Sequence, residues 1–155
     1  MANIAQSVNV ISPLMTNPNG IVKQTTWWPL LLYSKYMRGD ALAVGLRAGE
    51  YSGATHPEWL RAAVDTPWLD VSAAMKDGWV SLAVVNIHGE RDFETDLKGV
   101  EVKKGSARVY VVDGSDVGVV NTADKQEVGI EESEWDGQGS FTFKKHSLTI
   151  LRWEI

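Results

Sequence analysis

The spacing of apolar residues changes at Gly39, and that change limits what the chain can become more than any other feature. After Gly39 apolar side chains recur at nearly every second position. The runs are Ala41 to Arg47, Trp59 to Asp65, Leu69 to Met75, Trp79 to Ile87, Asp92 to Leu97, Ala107 to Val112, Ser140 to Phe143 and Leu148 to Trp153. Gly, Asp, Asn or Pro separates them, which marks short strands joined by turns. A period of two puts apolar side chains on one face of each strand, and such faces need a second layer to cover them. The pattern predicts an all-β sandwich over residues 40–155. Gly49 to Pro57 and Asn121 to Gly139 read as polar loops.

Before Gly39 the pattern is different. Val8 and Val10 alternate with Ser7 and Asn9, and Ile11 follows before Ser12-Pro13, so Ile4 to Leu14 reads as a short strand or a helix end running into one. Asn17-Pro18-Asn19-Gly20 is a concentrated turn signal. Thr25 and Thr26 are candidate caps, Pro29 is tolerable in a first turn, and Leu30 to Met37 is dense in helix-compatible apolar residues, which predicts a helix from Trp27 to Arg38. Apolar residues surround much of that helix. One strand and one helix cannot bury their own faces, so residues 1–38 read as the end of a larger α/β domain. They are expected to dock poorly against an autonomous unit of residues 40–155.

Composition removes several function classes. The 155 residues include no cysteine, which excludes disulfides, thiolate metal sites and thiol nucleophiles. The net charge is -5 and no basic run exceeds Lys103-Lys104 or Lys144-Lys145, so no cationic stripe exists to neutralise nucleic-acid phosphates. The apolar stretch from Trp27 to Tyr33 is too short to span a bilayer, and the N-terminus lacks the layout of a signal peptide. The chain therefore reads as soluble, with no membrane or nucleic-acid partner and its compartment unknown.

No catalytic unit assembles from the residues themselves. Asp92, Glu94 and Asp96 alternate with Phe93, Thr95 and Leu97, which places three acids on one strand face and reads as a solvated face. Glu131, Glu132 and Glu134 read the same way, in a polar loop. His56, His88 and His146 have no metal-ligand spacing. Ser52-Gly53 and Ser81 lack a nucleophile elbow, and Gly45, Gly49 and Gly53 form no phosphate fingerprint. No metal and no cofactor is expected.

The 7 tryptophans point to an aromatic core, a sugar-facing surface, or both. Trp59, Trp68, Trp79 and Trp153 lie in or beside strands and are expected to pack inward. Trp135 is the better candidate for an exposed ring. Trp27 and Trp28 are adjacent and cannot share one helix face. Gln6 and Asn9 interrupt an apolar run, as satisfied core amides or as ligand contacts.

Ala-Asn-Ile-Ala-Gln-Ser-Val-Asn-Val-Ile-Ser-Pro-Leu-Met-Thr at 2–16, Lys-Gln-Thr-Thr-Trp-Trp-Pro at 23–29 and Tyr-Met-Arg-Gly at 36–39 resemble the end of the catalytic domain of family-51 α-L-arabinofuranosidases. The resemblance continues through Glu-Tyr-Ser-Gly at 50–53, Leu-Asp-Val-Ser-Ala at 69–73, Val-Val-Asn at 84–86, Phe-Glu-Thr at 93–95 and Ser-Leu-Thr-Ile-Leu-Arg-Trp at 147–153. It covers essentially the whole chain and is strongest toward fungal members.

The resemblance implies a mainly β chain: a jelly-roll-like β-sandwich preceded by one strand and one helix left over from a (β/α)8 barrel. Residues 1–38 correspond to the barrel's last strand and helix, and 40–155 to the C-terminal sandwich. The family's two catalytic glutamates lie on earlier barrel strands. Neither the Asn-Glu motif of the acid/base nor the Glu-Trp-Asn motif of the nucleophile occurs here, so no catalytic residue is expected in this chain. Met1 fits an internal methionine of the family pattern, as in a C-terminal piece of a longer enzyme or a shortened gene. Gln6 matches the glutamine that projects from the eighth strand toward bound arabinofuranose. The implied partner is an arabinofuranosyl-containing polysaccharide or oligosaccharide, met through the barrel, and the longer enzyme is expected to be homo-oligomeric. The alternative is a non-catalytic carbohydrate-binding or subunit-interaction sandwich.

Overall fold

The computed structural model describes residues 4, 6–51, 57–59, 66–99 and 101–155. The chain is mainly β. A hairpin of β1 (Leu14–Asn17) and β2 (Gly20–Lys23) leads into α1 (Trp27–Tyr36) and then β3 (Asp40–Leu42). The strands that follow are β4 (Leu69–Lys76), β5 (Trp79–Asn86), β6 (Phe93–Asp96), β7 (Arg108–Val112), β8 (Glu131–Glu134), β9 (Ser140–Phe143) and β10 (Ser147–Glu154).

Six strands form one antiparallel sheet in the order β3-β4-β5-β10-β7-β8. β6 and β9 pair separately as a small second layer. The centre of the large sheet is β5 against β10, eight residues each, with Ala83 opposite Ile150 and neither exposed at all. Asp77 and Gly78 join β4 to β5 with φ of 52° and 75°, the doubly left-handed turn that suits the twist of a tight hairpin.

Alternation gives the large sheet two apolar faces. Val80, Leu82, Val84, Val109, Val111, Leu151 and Trp153 lie under the small layer, where buried Phe143 and half-buried Phe93 and Phe141 cover them. The opposite face, with Ala83, Tyr110, Val112, Leu148 and Ile150, is covered by α1 through Trp28 and Leu32. Leu32 is only 1% exposed. The helix expected to dock poorly is thus seated on the sandwich's own sheet. Sequence periodicity could not show this, because both faces of central strands read as apolar.

Several elements differ from the sequence reading. Between Ile4 and Pro13 the described residues form no strand, and Leu14 opens β1: Asn9 and Val10 take φ of 63° and 60°, and Val8 makes only an isolated parallel bridge to Leu14. A parallel strand draws its hydrogen bonds from neighbours on both sides, and none runs beside this segment among the described residues. The Asn17–Gly20 turn is the tip of a hairpin the sequence reading missed. Glu131 to Glu134, read as loop, is the edge strand β8 with all four residues exposed. Charged side chains on an edge strand deter pairing with another sheet. The run from Ala41 to Arg47 shortens to β3, and most of the run from Trp59 to Asp65 lies outside the described residues. No described helix is long and apolar enough to cross a membrane.

Candidate functional site

Gln6 sits on the irregular arm before the hairpin, and it is exposed. The two amides of this arm therefore separate. Asn9 accepts from the Thr16 backbone N–H at 2.7 Å, and its Nδ2 donates to Thr16 Oγ1 at 2.9 Å, so it is a structural clip that holds the left-handed turn to β1. Gln6 makes no side-chain hydrogen bond among the described residues and is not a satisfied core amide here.

The fully buried amides lie elsewhere, at positions the sequence reading did not single out. Asn86, 1% exposed, donates to the carbonyls of Arg91 and Phe143 and accepts from the His88 N–H, tying β5 to the small layer. Asn121, 4% exposed, donates to the carbonyls of Lys23 and Val128 and accepts from the N–H groups of Glu127 and Val128. It uses its whole hydrogen-bonding capacity to pin β2 to the loop before β8.

The acids are dispersed. Asp92, Glu94 and Asp96 are exposed; Asp92 accepts from the Lys145 N–H at 2.8 Å and Glu94 from Ser140 Oγ at 2.7 Å. Glu131 and Asp113 both meet Lys144, at 3.4 and 2.8 Å, and hydrogen bonding to Asp113 foremost raises the Lys144 pKa. Glu134 pairs with Arg108 at 3.3 Å. Each of these carboxylates has a structural or solvated role.

His88 accepts two backbone N–H groups at Nδ1, from Glu90 and Arg91, and packs 4.4 Å from Trp68. His146 turns the chain into β10 with φ 38°. His56, Ser52 and Gly53 lie outside the described residues. Among the described residues no group of three or more His, Asp or Glu could hold a metal ion.

The tryptophans correct two expectations. Trp135 is half-buried and meets Trp153 and Phe141 edge-on, at 6.3 and 6.2 Å, so it belongs to the core. Trp59 is 67% exposed instead of packed inward. Trp28 is buried and Trp27 half-buried against the same sheet face. Tyr51 and Trp68 meet at 79°, and Trp59 alone of the described indoles is exposed, the others being half-buried or buried. A flat sugar-stacking platform of the kind expected for a carbohydrate-binding sandwich is thus not formed by these rings.

Where α1 ends, Tyr36 stacks on Tyr110 with ring centroids 4.5 Å apart. Burial, and then the neighbouring Tyr36 hydroxyl, push the Tyr110 pKa up to about 12. The same hydroxyl raises the Lys35 pKa. Both groups therefore keep their protons at neutral pH.

The fold and the dispersed acids define an antiparallel β-sandwich with a docked helix. The model of the α-L-arabinofuranosidase C-terminal domain matches residues 1–147, and the chain belongs to that family. A probable α-L-arabinofuranosidase C from Aspergillus terreus is 56% identical over 155 residues, and the α-L-arabinofuranosidase C of Emericella nidulans is 54% identical over the same length. Each match covers 99% of this chain and 30% of the relative, so the chain spans less than a third of their length. Solved structures agree on the fold. The family-51 arabinofuranosidase of Xanthomonas axonopodis pv. citri superposes with a TM-score of 0.80 at 22% identity, over 99% of this chain and 31% of that one. The arabinose complex of the Thermotoga maritima enzyme gives 0.79 at 21%, over 97% and 33%.

Proposed function

We propose that this chain is the C-terminal part of a retaining α-L-arabinofuranosidase, with residues 1–38 closing a (β/α)8 catalytic barrel and residues 40–155 forming the sandwich that follows. The whole enzyme removes terminal arabinofuranosyl groups from arabinoxylan or arabinan through a glycosyl-enzyme intermediate, work that needs two carboxylates facing one another across the sugar. Those carboxylates belong to the part of the enzyme this chain does not span. Its own contributions are scaffold and one substrate contact, Gln6, whose exposed amide is free to meet a sugar hydroxyl.

The observation that carries this reading is the similarity to named α-L-arabinofuranosidases over 99% of the chain but only 30% of their length. The engagement of Asp92, Glu94, Glu131 and Glu134 in structural or solvent contacts supports a non-catalytic role for the chain itself. Purified chain incubated with an aryl α-L-arabinofuranoside is expected to give no turnover above buffer. Turnover that disappears when one of the chain's own carboxylates is replaced would overturn the proposal.

A further inference from the structure

α1 covers only part of the sheet face beneath it. Beyond its last turn the face continues as Trp79 and Ser81 of β5 and Arg152 of β10, and the Lys76-Asp77 corner rises beside them. Together with the end of the helix they border an open cleft of about 390 Å³. That volume falls in the range of small-molecule sites.

The charge of this cleft runs against that of the chain. Lys35, Arg38, Lys76 and Arg152 line it, against Asp77 alone, although the molecule carries a net charge of -5. Glu132, on the neighbouring edge strand, adds a second carboxylate field at the Lys35 end. None of the four cations has a carboxylate salt-bridge partner among the described residues.

Arg152 is the most constrained of them. Its guanidinium lies 3.9 Å from the Trp79 ring centroid and 5.3 Å from that of Tyr36. Its guanidinium N–H donors have no hydrogen-bond or ion-pair partner among the described residues, and the fork they form matches a carboxylate. The cleft also contains Ser81, which is 2% exposed and whose hydroxyl has no hydrogen-bond partner among the described residues. That hydroxyl borders the cavity, where it can meet a hydroxyl of a ligand.

We propose that this cleft binds a carboxylate-bearing sugar, a hexuronate, with the carboxylate on the Arg152 fork, Arg38 and Lys76 supplying further positive charge, and a ring hydroxyl on Ser81. A hydroxyl beside the cationic fork suits a hydroxylated carboxylate better than a bare inorganic anion. The site is separate from Gln6, and its α1 wall belongs to the segment proposed to close the barrel.

The test follows the Trp79 indole N–H resonance, assigned through Trp79→Phe, while the 155-residue chain is titrated with sodium D-glucuronate at constant ionic strength. D-glucose, sodium acetate and sodium phosphate are the comparison arms. A saturable shift with glucuronate is expected, with no shift from glucose and binding roughly tenfold weaker for acetate and phosphate. Arg152→Gln is expected to abolish the response. Lys76→Ala, at an exposed hairpin corner, is expected to weaken it several-fold at unchanged melting temperature, which guards against misfolding of the first variant. A disaccharide carrying the same uronate distinguishes a polysaccharide side group, which binds more tightly in that form, from the free acid, which binds equally or better. No response to glucuronate, an equal response to phosphate or acetate (an adventitious ion only), or wild-type binding by folded Arg152→Gln and Lys76→Ala would each overturn the proposal.

Discussion

At the scale of single residues, four amides show how far side-chain identity can be read without coordinates. Asn9, Asn86 and Asn121 are bonded within the chain, whereas Gln6 is exposed and unbonded. Asn86 and Asn121 were illegible in the sequence, because their partners are backbone groups brought from distant positions: Phe143 for one, Lys23 for the other. Trp135 was misread for a related reason. Its neighbours in sequence are polar, but its neighbours in space are Phe141 and Trp153. The contrast among the amides makes the Gln6 proposal testable. In the 155-residue chain, Gln6→Ala is expected to change stability by no more than about 0.5 kcal/mol, as at exposed sites without special contacts. In the whole enzyme, losing a hydrogen bond to a sugar hydroxyl costs about 1 to 3 kcal/mol, so kcat/KM is expected to fall roughly tenfold to a hundredfold. Unchanged kinetics in the folded variant would remove Gln6 from the site.

At the scale of elements, strands were legible where a short β-rich run is bounded by Gly, Asp, Asn or Pro turns. β4, β5, β7, β9 and β10 lie within a residue or so of the runs read from alternation. β8 was missed because an edge strand needs no apolar face; its exposed Glu131 to Glu134 side chains suit solvent and deter pairing with another sheet, and only pairing with β7 makes it a strand. The opposite error at Ile4 to Leu14 has the complementary cause, since alternation without a neighbouring strand yields no ladder. The junction between helix and sheet was readable as a boundary but not as a packing constraint. A Cβ placed on Gly39 would lie 2.3 Å from the Met75 carbonyl oxygen, closer than any real contact allows, so only glycine lets the chain pass from α1 into β3 against β4. Gly39→Ala is therefore expected to destabilise the chain by about 1 to 3 kcal/mol, the usual cost of overpacking. Urea denaturation checks this, and an unchanged midpoint would mean that β3 shifts freely away from β4.

At the scale of the whole molecule, the issue is whether residues 40–155 stand alone, as their periodicity suggests. Both faces of the large sheet are apolar, and the small layer covers only one. Without α1 the face bearing Ala83, Tyr110, Leu148 and Ile150 meets water, and the burial of Trp28 and Leu32 is lost. Burying one large apolar side chain contributes about 1.5 to 3 kcal/mol. Two such residues, with partial burial of Leu31 and Met37 besides, approach the lower end of the roughly 5 to 15 kcal/mol that separates folded from unfolded domains. Asn121 adds a polar tie across the same boundary through the Lys23 carbonyl, and cutting it leaves a buried amide donor without its partner, at about 1 to 3 kcal/mol. These losses fall on one cooperative core, so they act on global stability and not only on local fraying. A chain of residues 40–155 is accordingly expected to melt far below the 155-residue chain, or to unfold without a cooperative transition, when followed by near-ultraviolet circular dichroism. Hydrogen exchange on the longer chain is expected to protect Leu31 and Leu32 nearly as well as the centre of β5, and Gln6 hardly at all. If the shorter chain melted cooperatively at the same temperature, α1 would be a passenger on the sheet, and the boundary at Gly39 would divide stability as well as periodicity.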